Sequence, residues 1–178
     1  MQAPSAEPFV MPPYDETSFA GVRAALKDLA RYTPSLERSF GAAGDVDPVH
    51  HLIGSSAAWG GLPEREAIYL NVEPRLPVGR YRLTIGEVPV DGFWSISVYD
   101  ADGYFEKNDA GAYSINNVTA EPNPDGSITV HFGGCGDERP NCLPVMDGWN
   151  YIVRLYRPRQ EILDGTWSFP SVEVADRS

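Results

Sequence analysis

Two hydrophobic rhythms divide the sequence. In its first third, Phe19, Val22, Leu26 and Leu29 recur at i, i+3, i+7 and i+10, with Arg23, Lys27, Asp28 and Arg31 around the other side. That period predicts an amphipathic helix. Asp15, Thr17 or Ser18 can cap its start, and Pro34 ends it soon after Tyr32. Glu37 to Phe40 reads as a further turn, stopped by Gly41. Asp47-Pro48 is a cap followed by proline at the first helical position, and a second helix runs through His50, His51, Leu52 and Ile53 to Ala58 before Gly60-Gly61. Ahead of both, residues 1–14 carry Pro4, Pro8, Pro12 and Pro13 and are expected to form an extended arm.

From Ala67 the period drops to two. Ile68, Leu70 and Val72 alternate with Tyr69, Asn71 and Glu73; Tyr81, Leu83 and Ile85 alternate with Arg80, Arg82 and Thr84. Residues 92–108 are the stretch around which the rest is organised. Trp94, Ile96 and Val98 alternate with Ser95, Ser97 and Tyr99, Asp100-Ala101-Asp102-Gly103 supplies a turn, and a returning strand completes a hairpin. Ala112 to Val118 is a further strand, and 121–126 (EPNPDG) a strong turn. Ile128, Val130 and Phe132 alternate with Ser127, Thr129 and His131; Tyr151, Val153 and Leu155 alternate with Ile152, Arg154 and Tyr156; an extended piece from Phe169 to Val174 comes last. Seven or eight short strands with closely spaced turns predict a mainly β fold, an antiparallel β-sandwich of jelly-roll type with one or two N-terminal helices on a face or an end. The expected organisation is a helical segment at 15–60 and a sandwich at 66–174, with 15–174 one compact unit.

Charge and cysteines narrow the classes. Fourteen Lys and Arg against 25 Asp and Glu give a net charge of -11 in 178 residues. That argues against nucleic acid and anionic membranes as partners, and weakly against a polyanionic substrate. No apolar run approaches the roughly 20 residues of a membrane span. Cys135 and Cys142 share a Gly-rich loop. A disulfide there implies an oxidising compartment, hence export to a periplasm or beyond; free thiols would fit a cytoplasmic protein. Metal binding would need two more ligands, and no second Cys or His pair stands at zinc spacing. Residues 1–8 lack the charged and apolar regions of a signal peptide and fit a mature N-terminus behind an added start Met.

Several long motifs recur in order: GFWSISVYDADGYFEKN at 92–108, AYSINN at 112–117, NPDGSITV at 123–130, NCLP at 141–144 and WNYIVRLYRPRQEILDGTW at 149–167. Over roughly 66–174 the chain resembles the domain-of-unknown-function family 1214. Upstream, 47–54 (DPVHHLIG) and 58–61 (AWGG) are similar to its short, single-domain members, which lack the companion domain of family 1254. The resemblance implies a jelly-roll sandwich and no established activity. A carboxylesterase label carried by some members would need a Gly-x-Ser-x-Gly elbow, which this sequence lacks.

Candidate chemistry lies on the second face of the strands. If the apolar alternating set faces the core, the opposite set is Tyr69, Asn71, Arg82, Thr84, Ser95, Ser97, Tyr99, Thr129, His131, Arg154 and Tyr156. Such groups stack on and hydrogen-bond to small polar or carbohydrate-like ligands. The plainer reading packs them under the N-terminal helices or pairs them with local carboxylates. Arg82 and Arg154, in mid-strand, need planar acceptors: a neighbouring Asp or Glu, or a ligand carboxylate. In an enzyme without cofactor, a lyase or hydrolase, either Arg would neutralise a carboxylate or oxyanion while His131 or Tyr99 moves the proton. Glu106 is a further acid–base candidate and Asn108 a ligand-binding one. A third reading is an assembly module whose strands pair between copies, giving a homo-oligomer. His50 and His51 are about 100° apart on a helix and make no natural metal pair. No nucleotide fingerprint or His-x-His metal pattern is present, so no cofactor or metal is expected. Trp59, Trp94, Trp149 and Trp167 are expected as core or loop anchors.

Overall fold

In the computed structural model, which describes residues 10–33, 37–57, 61–137 and 139–175, the two rhythms become two units, 1–61 and 62–178. The sequence reading expected one unit over 15–174.

The first unit holds α1 (Glu16–Tyr32) and α2 (Pro48–Ala57). Asp15 caps α1, its carboxylate accepting from the Thr17 N–H at 3.1 Å. Asp47 caps α2 by accepting from the Val49 and His50 N–H groups at 2.9 and 3.1 Å. The His50 N–H bond holds the Asp47 carboxyl below its ordinary pKa. The apolar stripe of α1 does not sink into a core: Phe19, Val22 and Leu29 are 56, 58 and 50% exposed. Trp59 and the first nine residues of the arm lie outside the described residues.

The second unit holds β1 (Ala67–Val72), β2 (Tyr81–Ile85), β3 (Trp94–Tyr99), β4 (Ser114–Asn116), β5 (Ile128–Phe132), β6 (Cys142–Leu143), β7 (Asn150–Tyr156), the single-turn α3 (Gln160–Leu163) and β8 (Glu173–Val174). They form two four-stranded sheets, ordered β1-β7-β3-β4 and β6-β5-β2-β8. The fold is thus mainly β. One pairing departs from the antiparallel expectation: β6 runs parallel to β5, with Cys142 opposite His131. After β5 the chain doubles back through the cysteine loop, and Cys135 is disulfide-bonded to Cys142. It then sets out again alongside β5 in the same sense.

Both sheets bury their alternating apolar sets in one core. Leu83, Val130 and Phe132 of the second sheet and Ile96, Val153 and Leu155 of the first are all 0% exposed. Phe132 reaches Tyr151 and Trp149 at 5.2 and 5.4 Å between ring centroids, and the Trp149 indole N–H donates to the Leu76 carbonyl at 3.1 Å. This is the arrangement expected of rings that supply large buried area and a polar edge that still needs a partner.

The hairpin of 92–108 is only half present. β3 forms as expected, but its antiparallel partner is β4, with Ser95 opposite Asn116 and Ser97 opposite Ser114. The returning strand expected at 104–108 is a loop. The Asp100 carboxylate accepts from both the Asp102 and Tyr104 N–H groups at 2.9 Å, and Gly103 takes φ +87° to close the turn. Phe105 then lies against the Tyr99 ring instead of continuing in the sheet plane.

Truncating Phe132→Ala should cost about 3–5 kcal/mol, because a fully buried ring in contact with both sheets is lost; chemical denaturation measures it, and a loss below about 1 kcal/mol would remove Phe132 from the core account. Reducing the Cys135–Cys142 bridge should cost about 2–3 kcal/mol in the chain-entropy model, or about 5–10 °C of Tm. Mass spectrometry should find two alkylatable thiols only after reduction.

Candidate functional site

In β7, Tyr151, Val153 and Leu155 point inward, which turns Asn150, Ile152, Arg154 and Tyr156 out. Pairing aligns Tyr69 of β1, Arg154 of β7, Ser95 of β3 and Asn116 of β4 in one cross-strand row. The next row is Asn71, Ile152, Ser97 and Ser114, and beyond it Tyr99 lies opposite Asn150.

Arg154 is the centre of this face. Its Nη1 donates to Ser97 Oγ at 3.0 Å and its Nη2 to the Tyr99 hydroxyl at 2.7 Å. Its Cζ stands 5.9 Å from the Tyr99 ring centroid, within reach of a cation–π attraction. Ser97 Oγ donates onward to Ser114 Oγ at 3.1 Å, and Ser114 Oγ donates to the Ile96 carbonyl at 3.0 Å. A chain of hydroxyls anchored on the backbone therefore fixes the guanidinium. Both direct partners are neutral, and among the described residues no carboxylate forms an ion pair with Arg154. A guanidinium has five N–H donors, more than these two bonds use.

Exposed rings flank the Arg. Phe105 stacks on Tyr99 at 4.7 Å with planes 11° apart, and Tyr113 follows at 5.3 Å from Phe105. At the other end Phe93 stacks on Tyr156 at 4.3 Å. Phe105 and Phe93 are 51 and 42% exposed. Partial burial raises the Tyr69 pKa above its ordinary 10.0, repulsion from Tyr156 adds to the rise, and the Arg154 charge opposes it.

The sequence candidates therefore separate. Tyr69, Asn71, Tyr99, Arg154 and Tyr156 share the outer face of the first sheet. Arg82 and His131 lie opposite each other on the outer face of the second. Arg82 Nε donates to Glu173 Oε1 at 2.8 Å, so this Arg has the carboxylate that Arg154 lacks. Thr84 and Thr129 bond each other there at 3.1 Å. His131 thus does not join Arg154 and Tyr99 in a proton-transfer constellation. Glu106 is exposed in the loop between β3 and β4. Asn108 braces that loop with both ends of its amide, donating to the Ala112 carbonyl and accepting from the Ala112 N–H at 3.1 Å each. His50 and His51 place Nδ1 at 2.7 Å from the Glu37 and Ser39 carbonyls, where each ring nitrogen must donate. Phe105 and Tyr113 were not singled out from the sequence. The signal was an aromatic residue two positions past a turn, which a strand pattern also contains.

The chain is a mainly β protein with two sheets around one core and an arginine-centred polar face on one of them. Residues 74–160, from just after β1 to the start of α3, match a family model described as "Protein of unknown function (DUF1214)", and over that stretch the chain is similar to this family. Among solved structures, the VPA0106 protein of Vibrio parahaemolyticus aligns at 23% identity with a TM-score of 0.69, covering 93% of this chain and 47% of that one. This likeness is one of fold. An uncharacterised protein of Burkholderia cenocepacia aligns at 11% identity and a TM-score of 0.35, covering 88% of this chain and 48% of that one. The chain thus spans about half the length of the solved structures it matches. No curated protein matches it.

Because Arg154 holds down the Tyr69 pKa, Arg154→Ala should make the Tyr69 phenol ionise at still higher pH. Tyrosinate absorbance during alkaline titration reads the effect, with Tyr69→Phe assigning the signal. An onset that is unchanged or lower would mean the two groups do not interact.

Proposed function

We propose that the outer face of the first sheet binds a small polar, carbohydrate-like ligand carrying a carboxylate. The observation that carries this reading is Arg154: a half-buried guanidinium held by Ser97 and Tyr99, with no carboxylate paired to it among the described residues. Placing a guanidinium in a partly dry site with only neutral partners sacrifices hydration, and a ligand carboxylate restores it through paired charge-assisted bonds. Phe105 and Tyr156 offer ring faces of the kind that pack on the apolar side of a sugar ring, and Tyr69 and Asn71 offer hydrogen bonds.

The two sheets and their shared core support an antiparallel sandwich of jelly-roll type as the frame. The disulfide supports an exported, periplasmic or secreted, location. No described helix is long and apolar enough to cross a membrane, and with a net charge of -11 neither nucleic acid nor an anionic membrane is proposed as a partner. The lyase or hydrolase reading is weaker, since His131 sits on the other sheet and Arg82 already has Glu173. A homo-oligomer paired through strand edges is the third reading.

A thermal-shift screen against sugars, uronates and small carboxylates tests the proposal. Galacturonate or a related sugar acid should raise the Tm of the parent, while its neutral sugar shifts it less. Arg154→Ala should weaken binding about 10- to 150-fold, the worth of a charge-assisted pair, and Arg82→Ala should leave it unchanged. No shift with any ligand, together with an Arg154→Ala variant that merely melts lower, would make Arg154 structural and favour the assembly reading.

A further inference from the structure

β1 is an edge strand of the first sheet, and the segment that leads into the two-residue β8 lies near its inner face. A cleft of about 670 Å³ lies there, within the roughly 300–1,000 Å³ of small-molecule sites. Its floor is the inner face of the first sheet, with Ile68, Leu70 and Val72 at alternate positions of β1 and Leu155 beside them on β7. Its opposite wall is the segment that leads into β8, where Trp167 and Phe169 meet edge to face at 6.0 Å.

Three features define what would fit. Ile68, Leu70 and Val72 are only half-buried, whereas the inward residues of the neighbouring β7 are almost wholly covered; the core runs out of cover at β1. These three side chains succeed one another over roughly 13 Å of strand, so the floor is a trough and suits an elongated occupant. Among the described residues, no charged side chain lines the cleft. One polar group in its lining is buried deep: Tyr151 is 1% exposed, and none of the described hydrogen bonds involves its hydroxyl. Burial pushes its pKa up to about 12, so at neutral pH the phenol is protonated and able to donate.

We propose that this cleft is a binding site for a free, unbranched aliphatic chain with one uncharged, hydrogen-bond-accepting head group, such as a medium-chain alcohol or ester. The aliphatic floor and the Trp167 and Phe169 wall take the chain, and the Tyr151 hydroxyl donates to the head. An extended peptide could instead add to the free edge of β1, but it would lie in the sheet plane, and the cleft opens beneath that plane on the inner face. The site is independent of the Arg154 face, because Leu155 and Arg154 leave β7 on opposite sides.

The test uses the intact, oxidised chain with the neutral fluorophore N-phenyl-1-naphthylamine, displaced by decan-1-ol. The parent should bind one equivalent saturably, and decan-1-ol should both displace the dye and change the tryptophan emission. The emission change should vanish in Trp167→Phe while displacement persists. Leu70→Asp, which puts charge in the trough, and Ile162→Trp, which adds bulk to its lining, should each weaken binding at least tenfold in variants shown to be folded by circular dichroism. Arg154→Ala should bind as the parent does, which separates this site from the polar face. Absence of saturable binding by the folded parent would overturn the assignment, as would unweakened binding in both cleft variants. So would a response to an alternating Thr-Val peptide with none to decan-1-ol, which would point to strand addition.

Discussion

The ring of Phe132 against Tyr151 and Trp149 is the contact on which the second unit depends. It joins β5 of one sheet to the chain entering β7 of the other, and it does so where neither sheet could bury its apolar set alone. A four-stranded sheet with one oily face is unstable in water until that face is covered. Once Phe132 fixes which side of each sheet is covered, the period of two leaves no freedom about the rest. With Val153 and Leu155 in, Arg154 must be out; with Val130 and Phe132 in, His131 must be out.

That constraint explains why the polar candidates divide as they do. Alternation places the strand candidates on the outer faces, where Ser95 and Ser97 are nevertheless buried, while Glu106 and Asn108 lie in the loop after β3. What alternation cannot supply is which strands are neighbours. β1, β7, β3 and β4 come from distant parts of the sequence, and their order is set by long-range packing, not by any local pattern. Arg82 and Arg154 look equivalent in the sequence, each in mid-strand among aromatic and hydroxyl residues. Only the pairing of β2 with β8 brings Glu173 beside Arg82, and only the pairing of β7 with β3 brings Ser97 and Tyr99 beside Arg154.

Local signals were most legible where a single side chain decides the outcome. Asp15 and Asp47 cap their helices because a carboxylate two or three residues ahead satisfies N–H groups that have no other partner. The cysteine spacing limited the choices to a few, and the bridge is among them. The signals failed where two local preferences competed. Tyr104 and Phe105 carry strand propensity, yet the Asp100 carboxylate closes a turn around Tyr104, and stacking on Tyr99 draws Phe105 onto the sheet face. The consequence is constructive: the residue that left the strand became part of the aromatic border of the Arg154 face. The half-covered floor at β1 was equally hidden, because Ile68, Leu70 and Val72 carry the same alternation as a fully buried strand. Whether a facing strand exists to cover them is not a property of β1.

The acidic balance of the chain and its arginine-centred face act at different ranges, and both bear on the proposed ligand. With 25 acidic against 14 basic residues, the long-range field repels anions, but ions at physiological strength screen it beyond about 8 Å. Within that distance a ligand meets the Arg154 guanidinium in a half-buried setting, where attraction falls off less than it would in water. A compact monoanion can place its whole charge inside this short range. A polyanion cannot, since its remaining charges extend over a surface of the wrong sign. On the proposed reading, the same overall charge that argues against nucleic acid favours a small, singly charged ligand over an extended acidic polymer. The side-chain partners of Arg154 are hydroxyls. On the proposed reading, a single guanidinium held by Ser97 and Tyr99, with Tyr69 opposite it in the register, suits a small ligand with one negative charge.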